Sequence, residues 1–200
     1  MNFNRRHFLA GAILPLAGLS PAFAQTDDST VIAAWMDAWM NDQRLTVGNL
    51  HLSRFVEPIY YLLKPTSWLP DKGQEHLKPV TVPVGFVTDF ASIPRIFWSV
   101  LPPDGKYTHP AIVHDYLYWT QTGSREDADE ILKIMMEDFS VGAATVSAIY
   151  AAVRTFGGSA WNNNSKLRGD GERRTLKVFP ETPYATWAEW KKRPDVFTSP

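Results

Sequence analysis

The chain has 200 residues, with 20 Lys and Arg against 21 Asp and Glu, and no cysteine. The near-balanced charge removes the electrostatic case for nucleic-acid binding. The missing cysteine excludes disulfides, a lipid anchor on cysteine and a cysteine nucleophile, so a single sizeable core must carry the stability.

Residues 1–24 have the order of an export signal: Arg5 and Arg6, an apolar run over 8–19, then Ala22, Phe23 and Ala24. The RRHFL core resembles a twin-arginine signal, which implies export of the folded protein to the periplasm or beyond. The apolar run, interrupted by Gly11, Pro15 and Gly18, is too short to span a bilayer. Cleavage after Ala24 leaves residues 25–200 as one α+β domain, with a net charge of −3.

Residues 30–41 (TVIAAWMDAWMN) predict a helix with Trp35 and Trp39 on its core side. Residues 50–64, rich in Phe, Val, Ile and Tyr, predict one or two strands, and Pro65, Pro70 and Gly73 predict a loop over 65–74. In residues 79–89 (PVTVPVGFVTD), Val80, Val82 and Val84 alternate with Pro79, Thr81 and Pro83, which predicts an edge strand, with a bulge or turn at Gly85. Ser92 and Pro94 mark the start of a short apolar helix that ends before Pro102 and Pro103.

Two helices follow within residues 107–138, joined by a turn at Thr122, Gly123 and Ser124. A third, mostly apolar helix is predicted over 141–156, stopped by Gly157 and Gly158. From Ser159 onward the expectation is irregular packing over the core, with a short helix near 186–192. The predicted architecture is a small antiparallel N-terminal sheet, a three-helix core and an irregular tail.

The chemistry concentrates in the helix pair. His114 and Tyr118 are four apart and share a face, and Asp115 points to a neighbouring face. An antiparallel second helix sets Asp129 opposite His114. A histidine oriented by one carboxylate, beside another able to hold a cation, is a layout for water activation. Asp89 and Asp115 supply two oxygen ligands for a hard cation. The same groups would equally serve as hydrogen bonds that hold the fold, with Asp89 as a helix cap. A zinc site on His109, His114 and Asp115 fits less well, because His109 and His114 are five apart. Ser92 suits a cap better than a nucleophile, and no G-x-S-x-G elbow or phosphate-cradling glycine loop is present.

Four ordered motifs resemble a bacterial and phage-associated family, domain of unknown function 1353: GFVTDFASIPR at 85–95, HPAIVHDYLY at 109–118, REDADEIL at 125–132 and AVRTFGG at 152–158. The similar region runs over about 80–161. HPAIVHDYLY is also similar, more distantly, to the first catalytic helix of secreted phospholipase A2 enzymes, with their His-Asp-x-x-Tyr pattern. TDFAS at 88–92 resembles the Thr-Asp-x-x-Ser segment of bacterial members. That resemblance implies a calcium-dependent lipid hydrolase. In it His114 is the base on water, Asp129 orients His114, Tyr118 braces Asp129, and Asp115 binds calcium with help from Asp89. Phe90, Arg95 and Trp98 are the candidate substrate side, facing a phospholipid or membrane surface. The alternative expectation is a non-catalytic envelope or phage-derived interaction module with a structural His/Asp cluster. No protein partner is specified by either.

Overall fold

The computed structural model describes residues 50–90 and 107–198. The leader, the helix expected at 30–41 and the short helix expected after Ser92 lie outside the described residues, as do Arg95 and Trp98.

The described architecture is α+β. Strands β1 (Leu52–Arg54), β2 (Tyr60–Leu62) and β5 (Val87–Thr88) form an antiparallel sheet in the order β1-β2-β5. Its register aligns Arg54 with Tyr60, and Tyr60 with Thr88. A second ribbon pairs β3 (Thr66–Trp68) with β4 (Val80–Val82). Pro79 and Pro83 flank β4, which has a single neighbour, so their missing N–H groups cost no ladder bond. The loop expected over 65–74 contains β3. There Thr66 and Trp68 turn inward opposite Val82 and Val80, and this remote pairing overrides the local proline and glycine signals.

Helices α1 (Thr108–Thr120), α2 (Arg125–Asp138) and α3 (Ala143–Gly169) pack on one another, and α1 also meets β4 and β5. α1 is buried on most of its circumference, including Ala111, Ile112, Val113, Leu117 and Tyr118. It stops where Gln121 takes a left-handed conformation at φ 52. A glutamine serves there because Arg168 donates to its Oε1 at 2.7 Å and its own Nε2 donates to the Trp161 carbonyl at 2.7 Å. α2 starts on a capping box: Ser124 Oγ accepts from the Asp127 amide at 3.0 Å, and the Asp127 carboxylate accepts from the Ser124 amide. Among the described residues, no helix is long and apolar enough to cross a membrane.

α3 does not stop at Gly157 and Gly158 but continues to Gly169. Gly157 is buried against Tyr118, and a Cβ at this position would overlap the tyrosine hydroxyl. The glycine therefore permits a close helix crossing. Each helical glycine costs about 1 kcal/mol relative to alanine. The packing beyond it offsets that cost. Trp161 meets Tyr118 edge-on at 5.2 Å, and Arg168 donates to the Thr120 carbonyl at 2.7 Å.

The C-terminal stretch crosses β5. Val87 donates to the Arg174 carbonyl at 2.7 Å, and Leu176 donates to the Gly85 carbonyl at 2.9 Å. Gly85, at φ 83, has no room for a Cβ beneath the Leu176 backbone. The short helix expected near 186–192 is α4 (Trp187–Trp190), capped by Thr186 and by Glu57, which accepts from the amides of Trp187 and Ala188. With Phe55, Tyr61, Val87, Leu176, Val196 and Phe197, Trp187 makes a second, smaller core.

The Gly157–Tyr118 crossing is testable by a double-mutant cycle. Gly157→Ala is expected to destabilise the protein by about 1–3 kcal/mol through overpacking. In a Tyr118→Phe background the same change should cost much less, as read from urea midpoints. Equal costs in both backgrounds would show that the hydroxyl is not the obstacle.

Candidate functional site

The helix pair brings three of the expected residues together. His114 Nε2 lies 2.9 Å from Asp129 Oδ1, and the Tyr118 hydroxyl donates to that same oxygen at 2.6 Å. The two rings are 4.1 Å apart, as expected for residues one turn apart on α1. His114 and Asp129 are both 0% exposed, so neither relies on bulk water for its hydrogen bonds.

The other carboxylate oxygen is occupied by two cations. Arg125 Nη1, from one turn earlier on α2, donates to Asp129 Oδ2 at 3.1 Å. Arg154 Nη1, from α3, donates to it at 3.0 Å, while its Nη2 donates to Glu126 Oε1 at 3.1 Å. Arg125 also reaches the carbonyls of Val153 and Arg154, at 3.1 and 3.3 Å. Neither arginine was assigned a role from the sequence. The Arg125–Asp129 spacing of four is a readable signal, but Arg154 comes from a separate helix and has no local signature.

Burial pushes the Asp129 carboxyl up, but the bonds from His114, Tyr118 and Arg154 outweigh it and hold the group below the usual carboxylate range. Burial likewise depresses the His114 imidazole, with the Asp129 bond opposing and Arg125 adding to the depression. An anionic Asp129 and a neutral His114 fix the tautomer: Nε2 carries the proton and Nδ1 the lone pair. Nδ1 is buried and has no hydrogen-bond partner among the described residues. Burial and the bond to Asp129 push the Tyr118 hydroxyl far up, so it stays a donor.

Asp115, on the neighbouring face of α1, is 5% exposed and accepts a short hydrogen bond from Thr88 Oγ1 on β5. Thr88 Oγ1 in turn accepts from the Phe90 amide at 3.2 Å. Phe90 sits at φ 55, a strained conformation for a bulky residue, and its ring lies 5.0 Å from Tyr60. Asp89, between Thr88 and Phe90, is half-buried. This turn ties the sheet to α1 beside His114. Among the described residues no three His, Asp or Glu side chains gather in the manner of metal ligands. His109 stacks on Phe139 at 5.2 Å, away from the i, i+4 geometry a helical zinc pair would need.

Residues 67–153 match the family described as "Protein of unknown function (DUF1353)".

The DUF1353 segment runs from β3 through both helices of the pair and into α3. It contains His114, Asp115, Tyr118, Arg125 and Asp129, and ends one residue before Arg154. "Uncharacterized protein y4jT" of Sinorhizobium fredii (strain NBRC 101917 / NGR234) is 33% identical over 88 residues, which is 43% of this chain. The aligned stretch spans 26% of that protein, about a quarter of its length. Neither description names an activity. No solved structure matches the chain.

The helix pair predicts a definite pH response. His114 and Asp129 both have depressed folded pKa values, so for each the unfolded chain takes up a proton that the native state refuses. The His114 contribution is complete above the ordinary imidazole value of about 6.5 and declines as pH falls from there toward its folded value. The Asp129 contribution is present above the ordinary carboxylate value and is lost at lower pH. The melting temperature should therefore drop between about pH 7 and 5, and His114→Gln should flatten that drop. Asp129→Ala, which strands two arginines, should cost about 3–5 kcal/mol in denaturant titration.

Proposed function

We propose that the protein is an exported hydrolase of lipid ester bonds, in which His114 activates water. The observation that carries this reading is the polarity of the imidazole. Nε2 is anchored on Asp129 while the Nδ1 lone pair has no partner among the described residues. In the reaction, a water oxygen bonds to the ester carbonyl carbon as its proton passes to Nδ1. The tetrahedral intermediate then expels the alcohol oxygen, which takes that proton back. Asp129 stays anionic throughout and stabilises the imidazolium formed between the two transfers.

The His-Asp-x-x-Tyr resemblance supports phospholipid as the substrate class and calcium as the cofactor. Asp115 and Asp89 are the proposed ligands, and the strained turn at Phe90 beside them supports a functional role there. Bound calcium would supply positive charge for the developing oxyanion. Two carboxylates fall short of its roughly six to eight oxygens, so carbonyls or water must complete the shell. Phe90, Arg95 and Trp98 are the proposed acyl-chain and head-group contacts. The RRHFL leader supports a periplasmic or secreted location. Turnover also requires that water and an ester reach Nδ1, which is enclosed in the described structure.

That enclosure favours a second reading, a non-catalytic envelope or phage-derived interaction module. In it, His114, Tyr118 and Asp129 serve as a buried polar clasp.

Fatty-acid release from mixed phospholipid vesicles separates the two. The hydrolase reading expects release that needs calcium, stops in chelator, and is abolished in His114→Ala and in a folded Asp115→Asn protein. Full activity in Asp115→Asn would remove the metal role. No release at high protein concentration, with a melting temperature unmoved by calcium, would favour the module.

A further inference from the structure

The AVRTFGG stretch stands outside the His114–Asp129 pair in sequence, and nothing in the proposed reaction accounts for it. In the fold it lies against both oxygens of Asp129. Arg154 and Gly157 are three apart on α3 and so share a face. Arg154 Nη1 donates to Oδ2 at 3.0 Å. Gly157 backs the Tyr118 hydroxyl, which donates to Oδ1 at 2.6 Å. We propose that Arg154 and Gly157 are positioning residues. Together they fix the rotation of the Asp129 carboxylate, and through it the tautomer and orientation of His114.

The geometry makes the two roles complementary. A buried carboxylate can turn about its Cβ–Cγ bond, and a partial turn would carry Oδ1 out of line with the imidazole Nε2–H. Arg154 opposes this by holding Oδ2, and its own guanidinium is braced from outside by Glu126 at 3.1 Å. The planar fork spans both carboxylates at once, which a lysine ammonium does less well. Arg125 reaches Oδ2 from the same helix as Asp129 and meets α3 only at the carbonyls of Val153 and Arg154, so its hold adds to that of Arg154 without bringing a side chain of α3 to the carboxylate. Gly157 acts by what it lacks. A larger residue would drive the hydroxyl away from Oδ1 and leave His114 as the only donor to that oxygen. α3 thus sets the geometry of a pair formed between α1 and α2.

The assignment of tautomer and orientation stands on the hydrogen bonds alone, whereas its effect on turnover rests on the hydrolase reading above. The test therefore uses two readouts on the full chain. Long-range nitrogen–proton NMR at alkaline pH, where the imidazole is neutral, reads the His114 tautomer. The wild-type protein should show Nε2 protonated and Nδ1 bare. Arg154→Met should give a mixed or averaged tautomer in a protein whose circular dichroism is unchanged, and Arg154→Lys should recover most of the wild-type pattern. If Arg154→Met does not fold, Glu126→Gln removes the outer brace only and should broaden the same signals. Where vesicle hydrolysis is measurable, Arg154→Met should lower kcat about 10- to 100-fold with KM unchanged.

A wild-type tautomer in folded Arg154→Met, or unchanged His114 signals in Glu126→Gln where that variant is the one that folds, would overturn the proposal whatever the activity. A shifted tautomer in a protein whose wild type hydrolyses nothing would support the positioning role and sink the hydrolase reading. A raised KM with kcat unchanged would move Arg154 from positioning to substrate binding and overturn the positioning role.

Discussion

The Asp129 carboxylate is the one charge that three helices are arranged to satisfy. It is fully buried, which in isolation costs several kcal/mol even after relaxation. That cost is met by four side chains: His114 and Tyr118 on one oxygen, Arg125 and Arg154 on the other. Those donors come from α1, α2 and α3, so the helices cannot shift independently without stranding a charge. Apolar contacts supply most of the stability of such a core. They tolerate sliding, however, whereas a saturated carboxylate accepts one arrangement only. The glycine at 157 belongs to the same constraint, since it lets α3 approach closely enough for Arg154 to reach.

A second polar tie joins this helical unit to the sheet. Thr88 bonds Asp115 on α1 and the Phe90 amide in its own turn. It also stands in register with Tyr60 and Arg54 across the three strands. Adjacent residues of one helix thus serve different neighbours: His114 faces α2, and Asp115 faces β5. A one-residue shift of α1 would break both ties at once.

How much of this was legible follows from the range over which each signal acts. The His114–Asp129 pairing rests on helical periodicity and a short turn, both local, and the spacing alone predicted it. Arg125 was readable in principle from its spacing to Asp129. Arg154 was not, because its approach depends on how α3 crosses α1 and α2. Gly157 and Gly158 were misread for a related reason. A glycine ends a helix when it takes a positive φ, and permits a close crossing when it does not. Sequence alone does not separate the two cases. β3 was missed because a three-residue strand is defined by its partner β4, twelve residues beyond its last residue. α4 was recovered because its cap, Thr186, is adjacent to it.

The strap over Gly85 bears on how far the matched segment could stand by itself. The family match ends at Val153 and its AVRTFGG-like motif at Gly158, yet β5 and the turn before it take outer hydrogen bonds from Arg174 and Leu176, beyond both. Arg154 and Gly157 fall beyond Val153 as well, as does the rest of α3. A fragment cut at the limits of the match would keep His114, Asp89, Asp115 and Asp129. It would lose β1 and β2, one of the two guanidinium groups on Asp129, and the backbone that covers the sheet edge. The matched stretch is therefore smaller than the packed unit to which it belongs.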